Sequence, residues 1–372
     1  MSIPRSFTAT LDSSVRPLEP ALGSINAAVE SVNPLPFLPS FLPLPMQTPL
    51  LVVGIDVSKA TLAVCHQPGT SLQHLEVRNT PAGFRDLVRR CGARSLYVLE
   101  ATGTYYLAVA YHLVAAGAEV AVLNPLVVRR FIQMHLGKGK SDRKDAQWLL
   151  RFGQQQPTPR WQPEAAALVE CRQLQQATEL LIRQKTMISN ALEALQQQPT
   201  VCADVLRHLR LTLRRLERQV LDLEADLLVR VEQHYSRELP LLESIPGIGR
   251  KTAALLLVFA RGFRDLQNYR QLIAQAGLCP REYTSGTSVR GQTRITKAGG
   301  NLIRNKLYLC SWSACRANAA CKALYERLVA KGKPKKLALI AVCNKLLKQA
   351  CAIVKSGVAY QPDFAQKTVP MT

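Results

Sequence analysis

Four acidic residues are placed where they could do chemistry. Asp56 closes the apolar run Leu50-Leu51-Val52-Val53-Gly54-Ile55-Asp56, and Glu100 closes Ser95-Leu96-Tyr97-Val98-Leu99-Glu100. Asp142 and Asp145 follow, three residues apart, a step that puts both on one face of a helix. If the two apolar strands lie side by side, their terminal carboxylates converge with that helix. Such a cluster repels itself unless it holds cations, and hard oxygen ligands suit Mg2+. Two such ions stabilise the attacking and leaving oxygens of a phosphoryl transfer. Singly, each acid has a plainer reading: Asp56 as a turn cap, Glu100 as a solvated strand end, Asp142 as a helix N-cap. The conjunction carries the metal reading. Lys138, Lys140, Arg143 and Lys144 surround the last pair and would meet a nucleic-acid backbone beside it.

Two further stretches bear on phosphate chemistry. In Leu242 to Ala254, Pro246-Gly247-Ile248-Gly249 resembles the turn of a helix-hairpin-helix, with Arg250 and Lys251 immediately after it. Backbone N–H groups at the next helix start, around Gly247 and Gly249, can grip a phosphate. The other reading is a plain joint that uses glycine for close packing. From Gly277 to Gly291 runs a hydroxyl-rich loop in which Ser285 stands between Arg281 and Arg290. A serine attacking phosphate needs positive charge around the phosphoryl oxygens, which this loop supplies. Its alternative is a surface turn whose hydroxyls merely contact phosphate. Arg294, Lys297 and Arg304 extend the set of expected nucleic-acid contacts. A Gly-Ile-Asp strand also opens actin-like ATPases and sugar kinases, but their later glycine-rich phosphate loops are missing here.

The elements that must position these residues fall into segments. Residues 1–48 contain eight prolines and are expected to be a disordered extension, with Met46 a candidate translation start. Residues 49–160 read as hairpin strands at 50–56, 61–66 and 74–78, followed by helix and strand in alternation. That pattern predicts an α/β unit with a mixed sheet covered by helices, of the ribonuclease-H-like kind. In 161–238, Leu206, Leu209, Leu213, Leu216, Val220, Leu223 and Leu227 recur at alternating three- and four-residue steps, a heptad seam. Gln196-Gln197-Gln198-Pro199-Thr200 breaks it from a weaker seam before, so a helical hairpin is expected. The seam serves either a coiled-coil dimer or the chain's own core. Residues 239–360 read as mainly α-helical, and 361–372 as a tail.

Bulk composition narrows the class. The 372 residues carry a net charge of +22, with fifteen Lys or Arg against two Glu between Arg281 and Lys348. Such an excess draws a polyanion, and nucleic acid is the usual one. Ten cysteines without a Cys-x-x-Cys pair argue against a disulfide or zinc framework. Without an uninterrupted apolar run of about 18 residues, no membrane span is expected.

With these motifs in order, the sequence resembles the insertion sequence 110 transposases, also called bridge-RNA-guided serine recombinases. The resemblance runs from about Val53 to Tyr360. Its markers are Gly54-Ile55-Asp56-Val57-Ser58-Lys59, Glu100-Ala101-Thr102-Gly103-Thr104-Tyr105, Asn124-Pro125 and Lys140-Ser141-Asp142-Arg143-Lys144-Asp145-Ala146. Ile245-Pro246-Gly247-Ile248-Gly249, Tyr283 to Gly291 and Thr296-Lys297-Ala298-Gly299 complete the set. The resemblance implies a RuvC-like N-terminal domain with Asp56, Glu100, Asp142 and Asp145 as Mg2+ ligands, and a C-terminal transposase domain with Ser285 as nucleophile. It implies double-stranded DNA as substrate, at donor element ends and target, a non-coding guide RNA, and a homo-oligomer, dimer or tetramer. It also implies a cytoplasmic, nucleoid-associated bacterial protein. The proline-rich start departs from the family pattern. Two other functions fit the residues less closely: a Holliday-junction-type metal nuclease using water, and a non-catalytic nucleic-acid binder.

Overall fold

The computed structural model describes residues 50–362 except 138, 140, 265, 282–283, 286–288 and 292–293; for 284–285 and 289–290 it describes the backbone. The expected disordered extension and Lys138 and Lys140 therefore lie outside the described residues. Five strands, β1 (Leu51–Val57), β2 (Thr61–His66), β3 (Gln73–Arg78), β4 (Ser95–Glu100) and β5 (Glu119–Leu123), form one sheet in the order β3-β2-β1-β4-β5. The Ser58 hydroxyl donates to the Thr61 carbonyl and accepts from the Thr61 amide, both at 2.9 Å, which closes the β1–β2 hairpin. β1, β2 and β3 are antiparallel, whereas β4 and β5 run parallel to β1 and its neighbour.

Parallel pairing needs crossovers. They are α1 (Pro81–Cys91) and α2 (Tyr106–Ala115), which pack on the sheet face formed by Val53, Ile55, Val57, Tyr97 and Leu99. Leu96, Val98, Ala121 and Leu123 point the other way. There they meet α3 (Pro125–Met134) and α4 (Asp142–Gln155) through Val128, Phe131, Leu149 and Phe152. Thr80 and Asn124 cap α1 and α3, and proline follows each cap, where its missing N–H costs nothing. The architecture is a ribonuclease-H-like mixed sheet between two helical layers.

After α4 the chain returns along the sheet edge, where the Trp161 amide donates to the Val120 carbonyl at 2.7 Å. Two long helices follow, α5 (Ala166–Gln196) and α6 (Ala203–His234), packed as a hairpin. The heptad residues of α6 turn inward: Leu216, Val220 and Leu227 are buried, while Leu206, Leu209 and Leu213 nearer the tip are half-buried. The seam is thus used within the chain. At its base Leu168, Cys171, Leu227 and Val231 join the core of the C-terminal helices.

Those helices are α7 (Glu238–Glu243), α8 (Arg250–Phe259), α9 (Tyr269–Gln275), α10 (Asn301–Ala317), α11 (Ala319–Ala330) and α12 (Lys335–Ser356). Between α9 and α10 sit two small hairpins. β6 (Pro280–Arg281) pairs with β9 (Arg294–Ile295), and β7 (Thr284–Ser285) with β8 (Val289–Arg290). α12 is long and apolar enough to cross a membrane by composition, but Leu339, Val342, Leu346, Leu347 and Ala350 bury one side of it in the core. The ten cysteines are free thiols.

Candidate active site

Strand alternation decides which way the acids face. Gly54 of β1 pairs with Val98 of β4, and Val98 points toward α3 and α4. Two residues on, Asp56 and Glu100 emerge on that same face, at the ends of adjacent parallel strands. α4 crosses β1 there very closely. A Cβ on Gly54 would lie 2.2 Å from the Ala146 carbonyl oxygen and 2.3 Å from the Leu150 nitrogen, so only glycine admits the helix. This approach brings the first turn of α4, with Asp142 and Asp145, over the strand ends.

The helix start is capped by Ser141, whose hydroxyl accepts from the Lys144 amide at 3.3 Å. Asp142 is therefore the first helical residue and not the N-cap. Carboxylates in a first turn sit at the positive end of the helix dipole, which offsets part of their mutual repulsion.

The convergence bears on the charge of Asp56. Burial, then the charges of Asp145, Asp142 and Glu100, push its carboxyl up to about 6, against a weaker opposing backbone hydrogen bond at Val57. All three other acids act on it. Among the described residues, however, no three such side chains approach closely enough to form a closed metal cluster. The charges couple over a longer range than coordination spans. The donor set fits a hard divalent cation, being four carboxylates whose repulsion such an ion would relieve.

Beside the acids, between β3 and the start of α4, lies a cavity of about 250 Å3 lined by His74, Glu76, Asp142 and Arg143. Register explains why. Gly54, Cys65 and His74 form one cross-strand row and Asp56, Ala63 and Glu76 the next, all on one face. Burial and the nearby Arg143 charge lower the His74 pKa. Neither His74 nor Glu76 was singled out in the sequence; the alternation of β3, projected across the sheet, was the available signal.

The expected nucleic-acid contacts divide into groups. Arg143 and Lys144 are exposed at the start of α4. Arg250 pairs with Glu232 and Glu243, and Lys251 with Glu224 at 2.6 Å. Gly247 has φ +103°, and a Cβ there would meet Ala314 of α10 at 2.7–2.8 Å, so the close-packing reading describes this glycine. Gly249, at the start of α8, has open space around it. Arg304 is committed internally: its guanidinium donates to the carbonyls of Ala276 and Gly299 and to the Asn301 side chain. It staples a turn. Lys297 is exposed with φ +54°.

Arg281 and Arg294 stand directly opposite each other across β6 and β9, both exposed. Like charges in that relation repel, and an anion lying over the pair would remove the penalty. The Ser285 backbone sits in β7, paired with Val289; the side chains of Ser285 and Arg290 lie outside what the structure describes.

Two family models match the chain. One, described as a transposase and named for the DEDD transposases of IS110, matches residues 53–198. The other, described as "Transposase IS116/IS110/IS902 family", matches residues 239–326. The acidic signature in the first name has the same order of residue types as Asp56, Glu100, Asp142 and Asp145. Among curated proteins, the chain is 28% identical over 313 residues to a "Pilin gene-inverting protein" of Moraxella bovis, covering 82% of this chain and 96% of that one. It is 28% identical over 181 residues to an uncharacterised insertion element IS110 protein of Streptomyces coelicolor, covering 47% and 44% respectively. It is 24% identical over 288 residues to the "Transposase for insertion sequence element IS1328" of Yersinia enterocolitica, covering 70% and 82%.

Proposed function

The chain belongs to the IS116/IS110/IS902 family of transposases, and from that premise we propose how it recombines DNA: with a metal held by Asp56, Glu100, Asp142 and Asp145, a Ser285 nucleophile and an RNA guide. The observation that carries the metal site is that Asp56 and Glu100 end adjacent parallel strands beneath the first turn of α4, which holds Asp142 and Asp145.

Mg2+ bound there would supply Lewis-acid stabilisation of charge on the scissile phosphate. The protein's own residues do the rest. Arg281 and Arg294, paired across their hairpin, hold the phosphate backbone near Ser285. The Ser285 hydroxyl gives up its proton and its oxygen bonds to phosphorus, while the bond from phosphorus to the leaving sugar oxygen breaks and that oxygen is protonated. The resulting phosphoserine keeps the energy of the broken bond, so a second sugar hydroxyl can reseal the strand without ATP. Guide RNA pairing supplies the choice of sequence, which suits a protein rich in phosphate contacts and poor in base-reading motifs. Acids and serine belong to separate parts of the fold, so a dimer or tetramer that brings them together gates the reaction. The name of the Moraxella bovis relative, a pilin gene-inverting protein, is in keeping with a cut-and-rejoin reaction.

The test is a cleavage assay on labelled element-end DNA with Mg2+ and the element RNA. Wild type should leave DNA covalently attached to protein, and Ser285→Ala should not. Cleavage without an adduct, unchanged in Ser285→Ala, would mean a metal nuclease that uses water.

A further inference from the structure

We propose that the distal half of α6 is a sequence-independent clamp for the phosphate backbone of duplex DNA. Arg207, Arg210, Arg214 and Arg218 follow one another at steps of three, four and four residues. At 3.6 residues per turn they fall within about a quarter of the helix circumference. All four are exposed, and the buried Leu216 and Val220 that face α5 occupy the opposite side. The stripe is about 16 Å long at 1.5 Å per residue.

Charge is segregated along this helix. The distal half, 203–218, carries Arg207, Arg210, Arg214, Arg215 and Arg218 against Asp204 and Glu217. The proximal half carries Asp222, Glu224, Asp226 and Glu232 against Arg230. Two of the proximal acids anchor the hairpin base, Glu224 to Lys251 and Glu232 to Arg250. On the distal half, Arg207 and Arg218 make solvent-exposed pairs along the helix, with Asp204 at 3.0 Å and Asp222 at 3.7 Å, and remain 73% and 80% exposed. Arg210 and Arg214 have no ion pair among the described residues. Arg210 and Arg214, four residues apart and both exposed, repel each other unless an anion lies over them.

The stripe has no Asn or Gln between its arginines on that face. A row of guanidinium groups with no Asn or Gln among them lacks the usual adenine readers and is suited to neutralising successive phosphates. A stretch of about 16 Å of duplex presents roughly ten phosphate charges, ample for four guanidinium groups. The segment also lies between the two regions that match the family models, 53–198 and 239–326.

The inference rests on duplex DNA being the substrate but not on the four acids or the serine. Its test measures binding of the full chain to a duplex DNA of about four helical turns, across a salt series, for wild type and Arg210→Gln/Arg214→Gln. The double variant should bind about tenfold more weakly near physiological salt, and its slope of log affinity against log salt should be smaller by just under two, the value for two lost phosphate contacts. Helical content and melting temperature should not change. An unchanged slope overturns the proposal, as does a loss seen with an RNA duplex and not with DNA. Asp56→Asn, measured alongside, should bind DNA with the full slope while failing to cut it. Cutting by Asp56→Asn would count against the carboxylate site and leave the clamp standing.

Discussion

Asp56 is the residue at which the candidate site can be examined without any substrate. Its folded pKa of about 6 lies above the ordinary carboxyl value of 3.8, so the folded protein holds a proton that the unfolded chain has released. Between those values the folded state therefore loses stability as pH rises, and the loss is complete above about pH 6. Asp56→Asn removes the buried, repelled charge. In metal-free protein it should raise stability at pH 7.5 by on the order of 1 kcal/mol, a figure reduced for the solvent screening of a half-buried group. Below pH 4 the difference should vanish. Calorimetry at the two pH values checks this; a variant no more stable than wild type at pH 7.5 would mean that Asp56 is not under that repulsion. Mg2+ should raise the melting temperature of wild type more than that of the variant, because the cation relieves the same charge.

The site exists because β1, β4 and α4 meet at Gly54. A methyl group there would press on two backbone positions of α4 at 2.2–2.3 Å, and neither can move without lifting the helix that carries Asp142 and Asp145. Gly54→Ala should destabilise the protein by about 3 kcal/mol and abolish cleavage. Gly249→Ala, whose Cβ would meet open space, should leave the melting temperature nearly unchanged. Equal behaviour of the two variants in thermal melts would refute the close-approach argument. At this scale the sequence was most legible. Thr61–His66 and Ser95–Glu100 have the bounds read from their apolar runs, because burial on both faces writes itself into composition. The acids at two strand ends were visible for the same reason. Strands of two residues, such as those bearing Arg281 and Ser285, carry no period, so that segment read as a loop and the opposition of Arg281 to Arg294 was hidden. Nor does a heptad tell whether its partner is the same chain or another; only the packing of α6 on α5 answered that.

On the scale of the whole molecule, the apolar clusters separate. The sheet and its covering helices bury one set of residues, with Trp161 the last to pack against it. The base of the hairpin and helices α7–α12 bury another, from Leu168 to Ile353. What joins them is a linker held by surface contacts. Arg160 pairs with Glu119, Glu164 pairs with Arg172 and Arg261, and Trp161 stacks edge-on to Tyr111 at 5.3 Å. Ion pairs whose arginine stays in solvent, as in these three, contribute about 0–1 kcal/mol each, too little to make two cores melt as one. Two thermal transitions are therefore expected in the free protein. Leu99→Ala, fully buried in the sheet core, should lower one by the equivalent of about 3 kcal/mol, and Leu346→Ala, fully buried among the C-terminal helices, should lower the other. A single transition shifted alike by both variants would show that the linker couples the cores. Independent cores would leave the acids and Ser285 free to be brought together by the substrate complex, so DNA binding should merge the two transitions into one.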